Sequence, residues 1–297
     1  MRILNASGCL DALAAPAVAR SLDAYVTKTV TLAARDGNPP VRIVETDCGM
    51  LNSIGLANPG VDRFLAKTLP RLLALGVPVW VSVGGFSAAE YAELCARLDG
   101  EEVEAIELNV SCPNVNSPAE ATEEIVRAAR AATGKSLYAK LSPALPDIAA
   151  AARGAAAAGA DGLSLVNTLR GLALDRRTLA PVLSTASGGL SGPALRPVAV
   201  AAVYSCYRAT RLPIVAMGGI ETGRHALELV AAGASACALG TVLFRDPGAP
   251  ARVRGELVAE ARSYGFQHPI AAKGSAHVRN REALPISAKR PAKMAQN

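Results

Sequence analysis

The chain has 297 residues, enough for two average domains but also the usual size of one large α/β barrel. Hydrophobic residues make up 51% of the sequence and charged residues 19%, which excludes a disordered chain and provides the side chains for a sizeable core. The net charge is +6, but five basic residues and one acidic residue lie between Arg279 and Asn297, so the charge does not indicate a nucleic-acid-binding surface on the rest of the chain.

Short β-type segments alternate with Ala-rich and Leu-rich helical segments along the whole chain. The predicted strands are 2–5, 24–28, 77–82, 104–110, 136–141, 161–167, 213–217 and 235–239. The predicted helices are 9–20, 61–75, 87–99, 119–133, 145–158, 194–210, 222–233 and 248–265. Eight βα units without a domain linker predict a single-domain TIM (β/α)8 barrel over residues 1–270, followed by a C-terminal segment, 271–297, with a basic tail.

Two of the predicted βα loops are much longer than the usual few residues. They are 29–60, after the second strand, and 168–193, after the sixth. Because the loops that follow the strands carry the function of a TIM barrel, we expect these two to act as lids and binding loops.

The alternation of side chains along the fourth strand predicts which of them enter the barrel. Ile106 and Leu108 form an apolar face for the surrounding helices, so Glu107 and Asn109 belong to the opposite, inner face. Cys112 follows in the next loop, where an exposed thiol could act as a base or nucleophile. A buried structural thiol is the alternative for any free cysteine.

Two lysines are predicted at the barrel mouth. Lys140 lies on the inner face of the fifth strand, and Lys28 ends the second strand. Burying an unpaired ammonium group is costly, so each lysine needs an anionic or electron-rich partner. That partner is either a ligand or a protein carboxylate, for example Glu107 for Lys140.

Carboxamides also converge on the mouth, since Asn109, Asn114 and Asn167 all lie at or just beyond strand ends. They supply hydrogen-bond donors and acceptors without charge, which suits a flat heterocycle with alternating N–H and C=O groups. For any single asparagine, a loop cap is the alternative.

Glycines end the last two predicted strands, at Gly218-Gly219 and at Gly240 before Thr241. This is where TIM barrels commonly bind phosphate, because backbone N–H groups can approach the ligand closely. With Lys140 available to stabilise a reduced flavin ring, flavin mononucleotide (FMN) fits this pattern better than a simple phosphosugar.

The six cysteines show neither C-x-x-C pairs nor metal-ligand spacing with histidine. This argues against a disulfide framework, a zinc site or an iron–sulfur cluster on this chain, and no metal site is predicted. No apolar run reaches the length of a transmembrane helix, and polar residues interrupt the Ala-rich start of the chain. We therefore expect a cytoplasmic protein without membrane contact.

Taken together, these motifs resemble the class 1 dihydroorotate dehydrogenases, FMN-containing TIM-barrel enzymes of pyrimidine synthesis, and most closely the 1B subgroup. The segments that carry the resemblance are 5–9 (NASGC), 27–32 (TKTVTL), 49–60 (GMLNSIGLANPG), 107–115 (ELNVSCPNV), 138–143 (YAKLSP), 166–169 (VNTL), 188–193 (GGLSGP) and 217–220 (MGGI). In the 1B subgroup the catalytic subunit works with an electron-transfer subunit that bears FAD and a [2Fe-2S] cluster and reduces NAD.

The resemblance implies a role for each matching residue. Cys112 would remove the C5 proton of dihydroorotate while hydride leaves C6 for flavin N5, with Lys28 as the second catalytic residue. The implied substrate-binding residues are Lys28, Asn52, Ile54, Gly55, Leu56, Asn109, Asn114, Asn167 and Thr168. The implied FMN-binding residues are Ala6, Ser7, Gly8, Lys28, Thr29, Asn109, Lys140, Val166, Gly192, Gly218, Gly219, Gly240 and Thr241.

Some features depart from the family pattern and keep alternatives open. The loop after Cys112 is short where 1B relatives have a glycine-rich lid, which favours a flavoenzyme of the same family acting on another dihydropyrimidine or cyclic amide. Asn114 argues against dihydropyrimidine dehydrogenases, which typically have histidine there. A non-redox phosphate-binding barrel, or a non-catalytic paralogue, is the alternative from a different class.

The sequence also limits the electron acceptor and the partners. A homodimer with fumarate as acceptor would be self-sufficient, whereas NAD would require a partner subunit, because this chain has neither cluster cysteines nor a dinucleotide fingerprint. Besides the small-molecule substrate, we expect a homodimer and an FAD/[2Fe-2S] subunit as partners, and no nucleic acid.

Overall fold

The computed structural model describes residues 1–110 and 119–278. Its strands are β1 (Arg2–Asn5), β2 (Tyr25–Val26), β3 (Ile43–Thr46), β4 (Gly49–Asn52), β5 (Val79–Val83), β6 (Ala105–Asn109), β7 (Ser136–Leu141), β8 (Gly162–Leu165), β9 (Leu169–Leu172), β10 (Ser187–Ser191), β11 (Ile214–Met217) and β12 (Ala236–Leu239). Its α-helices are α1 (Pro16–Arg20), α2 (Val61–Arg63), α3 (Leu69–Leu73), α4 (Ala88–Asp99), α5 (Ala119–Ala132), α6 (Ile148–Ala157), α7 (Arg196–Ala209), α8 (Gly223–Ala232) and α9 (Ala249–Ser263).

Eight parallel strands form the barrel in the order β1-β12-β11-β8-β7-β6-β5-β2. A parallel bridge between Leu4 and Ala24 joins the two ends of this sheet. At the same seam the Asn5 side chain donates to the Val26 carbonyl oxygen at 2.7 Å and accepts from the Val26 N–H at 2.8 Å. Asn5 thus takes the place of a backbone peptide group in the ladder. The predicted TIM barrel is confirmed, and its eight strands correspond to the eight predicted ones.

The inside of the barrel is layered. Toward the start of the strands lies a buried apolar cluster that includes Leu4, Trp80 and Val215. Tyr138 packs against this cluster. The inner-face positions that follow along the strands hold buried polar side chains, which include Ser82, Glu107, Lys140 and Ser164. The opposite face of each strand is apolar and contacts the helices, as the alternation predicts. The polar layer leads directly into the mouth.

Two helices differ most from their predicted bounds. The first begins only at Pro16, because the Asp11 side chain accepts hydrogen bonds from the next backbone N–H groups and holds a turn there. The second is broken by a π-helical turn at Phe64–Thr68, just before Pro70. Proline has no N–H to donate to the preceding turn, so the regular hydrogen-bond ladder cannot run through it.

The two long loops fold together into a second sheet, which the sequence did not predict. It is antiparallel, with the order β3-β4-β10-β9. β3 and β4 form a hairpin with a two-residue turn at 47–48, and β4 pairs with β10 through Leu51 and Leu190. The expected binding loops are thus a structured layer beside the barrel mouth.

The chain after α9 continues along the barrel. Two 3-10 turns, Pro269–Ala272 and Ser275–His277, contact α8, and the His277 ring stacks on Tyr204 with 4.0 Å between the ring centroids. Residues 271–278 of the predicted C-terminal segment therefore pack on the barrel, while the basic tail, 279–297, lies outside the described residues. None of the described helices is long and apolar enough to cross a membrane.

Candidate active site

A cavity of about 1110 Å³ opens at the carboxyl ends of the barrel strands, between the mouth and the second sheet. Ligand pockets commonly measure about 300–1,000 Å³, so this one has room for two adjacent ring systems. Cys112 and Asn114 lie outside the described residues. All other predicted site residues line the cavity: Ala6, Ser7, Gly8, Lys28, Thr29, Asn52, Ile54, Gly55, Leu56, Asn109, Lys140, Val166, Asn167, Thr168, Gly192, Gly218, Gly219, Gly240 and Thr241.

Lys140 and Glu107 form a buried ion pair at the base of the cavity. Lys140 Nζ lies 3.3 Å from Glu107 Oε1 and donates to Ser7 Oγ at 2.8 Å. The side chains are only 5% and 1% exposed. The sequence analysis allowed either a ligand or a protein carboxylate as the partner of Lys140. In the structure, Lys140 pairs with the Glu107 carboxylate.

Lys28 has different surroundings, because no described residue offers it a carboxylate partner. Burial lowers the pKa of Lys28, and the positive charge of Lys140 lowers it further. The Lys28 side chain passes close to Gly8, where an added Cβ would lie 3.0 Å from its Cδ. An anionic ligand would therefore stabilise the charged form of Lys28.

Cys9 also lines the cavity. Burial raises the pKa of its thiol, and the nearby positive charges of Lys140 and Lys28 only partly offset this effect. Cys9 is therefore a neutral thiol at pH 7, close to the two lysines.

The carboxamides and hydroxyls of the mouth form a continuous hydrogen-bonded chain. The backbone N–H of Thr168 donates to Asn167 Oδ1 at 2.8 Å, and Asn167 Nδ2 donates to Asn109 Oδ1 at 3.0 Å. Asn109 Nδ2 then donates to Thr29 Oγ1 at 3.3 Å, and that hydroxyl lies 3.1 Å from Ser82 Oγ. The chain fixes both amide orientations, and each amide has a second N–H that can donate to a carbonyl oxygen.

The loop after β4 presents backbone donors. The carbonyl oxygens of Ile54, Gly55 and Leu56 accept protein hydrogen bonds at 3.0, 3.3 and 2.7 Å. In a trans peptide the N–H points opposite to the preceding C=O, so the N–H groups of Gly55, Leu56 and Ala57 point away from those donors. Gly55 and Leu56 both have positive φ, +73° and +58°. Consecutive N–H groups in such a turn suit an anion.

The opposite end of the cavity is lined by glycines with positive φ. Gly192, Gly218 and Gly219 have φ of +95°, +122° and +71°, and a Cβ on Gly219 would lie 2.9 Å from the Gly192 carbonyl oxygen. After Gly240 a 3-10 turn begins at Thr241, whose hydroxyl donates to Ser191 Oγ at 2.8 Å. The first N–H groups of such a turn have no partner within it, which makes this end suitable for phosphate.

The second sheet contributes residues that the sequence analysis missed. Asn52 Nδ2 donates to the Gly189 carbonyl oxygen at 3.2 Å, so β10 orients a predicted substrate-binding side chain. Ser191 and Arg170 also line the cavity. The two-residue gap between segments 43–46 and 49–52 is a hairpin signal that could have revealed half of this sheet.

Comparisons with known proteins agree with this geometry. A family model described as Dihydroorotate dehydrogenase matches residues 2–260. The chain belongs to the dihydroorotate dehydrogenase family. Its family relatives include "Dihydroorotate dehydrogenase B (NAD(+)), catalytic subunit" of Desulforudis audaxviator (strain MP104C), 47% identical over 264 residues, 86% of each chain. The protein of the same description from Geobacter sp. (strain M21) is 45% identical over 245 residues, 80% of each chain.

A solved structure supports the dihydroorotate dehydrogenase fold. A structure of DHODH in complex with ferulenol, from Eimeria tenella, has a TM-score of 0.78 and 24% identity, and the match covers 93% of this chain and 85% of that one. The resemblance stated from the motifs is thus confirmed for the family, and the TIM barrel for the fold.

Proposed function

We propose that this chain is the FMN-binding catalytic subunit of a dihydroorotate dehydrogenase, which oxidises dihydroorotate to orotate in pyrimidine synthesis. One observation carries the proposal: a single cavity has cations and fixed amides at its centre, backbone donors on one side and a glycine-lined end on the other. A phosphorylated flavin and a small anionic heterocycle together need these three kinds of surface.

FMN fits the residues of the mouth. Its phosphate would lie at Gly192, Gly218, Gly219, Gly240 and Thr241, and its ring near Ser7, Lys28 and Lys140. The 3-10 turn that begins at Thr241 supports this, because its first N–H groups have no partner within the turn. FMN would supply the acceptor for the hydride that leaves the substrate.

The substrate would bind between the second sheet and the carboxamide chain. Its carboxylate would accept hydrogen bonds from the N–H groups at 55–57 and pair with Lys28. Its ring carbonyl oxygens would accept from Asn109 and Asn167, whose amide orientations are set by Thr29 and Thr168. A site built to bond such groups discriminates strongly against analogues that lack them.

We also propose Cys112 as the general base, which takes the C5 proton. An ordinary thiol has a pKa of about 8.5, so the base needs a partly ionised thiol or the aid of its surroundings. Asn114 would complete the contacts to the pyrimidine ring.

NAD is the proposed final electron acceptor, reached through a separate subunit with FAD and a [2Fe-2S] cluster. The relatives named as catalytic subunits of an NAD(+) enzyme support this, as does the lack of cluster-type cysteine spacing in this sequence. The catalytic chain would form a homodimer in the cytoplasm. Co-purification of a yellow, iron-containing subunit from the native source would test this arrangement.

The activity itself is tested by anaerobic spectroscopy on the purified protein. We expect flavin absorption bands that bleach on addition of dihydroorotate and do not bleach with dihydrouracil, which lacks the carboxylate. Bleaching by dihydrouracil alone would instead support an enzyme for another dihydropyrimidine. A colourless protein that binds no added FMN would contradict a flavoenzyme.

A further inference from the structure

Glu107 is a buried carboxylate for which the proposed reaction has no use. It is 1% exposed on the inner face of β6, and its charged partner is Lys140, 3.3 Å away. Replacing a buried ion pair by apolar groups of similar volume is often neutral or stabilising, so fold stability alone does not account for a charged pair at this position.

The position of the pair relates it to the flavin. Lys140 and its hydrogen-bond partner Ser7 both line the cavity, whereas Glu107 is not among the residues that line it. Glu107 therefore does not contact a cavity ligand directly, and its charge acts on the ligand through the neighbouring Lys140. Charges interact more strongly in such a partly dehydrated site than in water.

The charges at the base of the cavity can be counted. Lys28 and Lys140 are two cations, Glu107 is one anion, and Cys9 is a thiol whose pKa burial raises. Without Glu107 the net charge of these four groups would rise from +1 to +2. Because reduction adds negative charge to a flavin, each uncompensated cation nearby favours the reduced form.

We propose that Glu107 tunes the reduction potential of the bound flavin, keeping it low by neutralising Lys140. Glu107 is thus a positioning residue, acting through Lys140 on a flavin that it does not touch. The proposal rests on FMN binding as proposed above. A lower potential means that electrons taken from the substrate pass on to the next acceptor more readily.

The test is Glu107→Gln, which removes the charge and keeps the size of the side chain. Sulfite is an anion that adds to oxidised flavins. With FMN bound, we expect the Glu107→Gln variant to bind sulfite about tenfold more tightly than the wild type does. The two-electron potential should rise correspondingly by about 30 mV, the shift equivalent to a tenfold change for two electrons. Glu93→Gln on the exposed face of α4 is the matched control, with no change expected in either quantity.

A second variant covers the case that Glu107→Gln does not fold. Glu107→Asp keeps the charge but withdraws it from Lys140 by one methylene, and it should tighten sulfite binding about twofold to threefold. A purely structural role would lower the melting temperature and leave the sulfite Kd unchanged.

The outcomes separate this inference from the proposed function. If a Glu107 variant binds FMN and is reduced by dihydroorotate, yet has the sulfite Kd and potential of the wild type, the inference is overturned and the proposed function stands. If the wild-type protein binds no FMN, both are overturned.

Discussion

The two lysines of the cavity carry the same charge in different surroundings. Lys140 lies 3.3 Å from Glu107, whereas among the described residues no carboxylate pairs with Lys28. Burial therefore lowers the pKa of Lys28, the neighbouring Lys140 lowers it further, and Cys9 offsets these effects only in part. An anionic substrate would supply the missing charge, so Lys28 couples substrate binding to pH.

Orotate binding should depend on this coupling. The pKa of Lys28 in the free protein is lowered, and the orotate carboxylate favours the charged lysine, so binding is accompanied by proton uptake. We expect the Kd of orotate to increase as the pH rises through the lowered pKa, by up to about tenfold per pH unit. Flavin-band titrations with orotate between pH 6 and 10 would measure this.

Lys28→Arg is the control for that titration, because arginine stays charged over the whole range. Its orotate Kd should be nearly constant with pH, and the same slope in both proteins would contradict the assignment. In the free protein, the folding stability depends on pH in the opposite direction to orotate binding. At pH values below the lowered pKa, the charged Lys28 reduces the free energy of unfolding. This reduction is lost as the pH rises toward the ordinary lysine pKa of about 10.4.

Cys112 can be tested although it lies outside the described residues. Cys112→Ala should retain FMN and lose dihydroorotate turnover by about 10²–10⁴-fold, the usual contribution of a positioned base. Stopped-flow reduction of the flavin by dihydroorotate is the measurement, and Cys9→Ser is a comparison that removes a thiol outside the proposed proton transfer. If the flavin of Cys112→Ala is reduced at the wild-type rate, Cys112 is not the base.

The second sheet is the element that brings the two long loops together at the mouth. β4 contributes Asn52, and β10 contains Gly188 and ends next to Gly192, at the glycine-lined end. The pairing of these strands therefore connects the substrate-binding and phosphate-binding sides of the cavity. A disturbance of this pairing should affect ligand binding while the barrel remains folded.

Gly188→Ala tests this connection. A Cβ at Gly188 would lie 2.5 Å from the Asn52 carbonyl oxygen, so β10 and β4 have to move apart. We expect the KM for dihydroorotate to rise about tenfold, equivalent to about 1.4 kcal/mol, while FMN is retained. Gly255→Ala in α9 is the control, since its Cβ would meet no atom within 4 Å. A wild-type KM in Gly188→Ala would show that the sheet does not position Asn52.

At the scale of the whole molecule, an asparagine side chain takes part in closing the barrel. β1 and β2 join at a short seam, where the Asn5 amide pairs with both backbone polar groups of Val26. Asn5 is fully buried, so water cannot replace these bonds when the side chain is removed. The seam is therefore a weak point of an otherwise continuous ladder.

Asn5→Ala should destabilise the protein strongly. It leaves two buried backbone groups unpaired, at about 1–3 kcal/mol each, so the free energy of unfolding should fall by about 2–6 kcal/mol. Urea denaturation of the FMN-free protein would measure the loss, with the exposed Gln267→Ala as control. A loss below about 1 kcal/mol, the lower bound for a single unpaired group, would mean that the seam does not need the amide.

Much of the fold and of the site follows from local sequence patterns. A strand with alternating side chains assigns its own inner and outer faces, which is why the pattern alone correctly predicts Glu107, Asn109 and Lys140 inside the barrel. The start of the first helix was less predictable, because the Asp11 side chain binds backbone N–H groups in a turn that replaces the first part of the helix. The second sheet escaped prediction because β4 and β10 pair across more than 130 residues.

The sequence by itself determined the barrel, the family and the residues at the ends of the strands, since these depend on short periods and compact motifs. The tertiary structure decided which partners those residues have. It paired Lys140 with Glu107 and gave Lys28 no carboxylate among the described residues, it placed Cys9 near the two lysines, and it joined the long loops into one sheet. Such distinctions depend on distances between side chains from different strands, which no local pattern encodes.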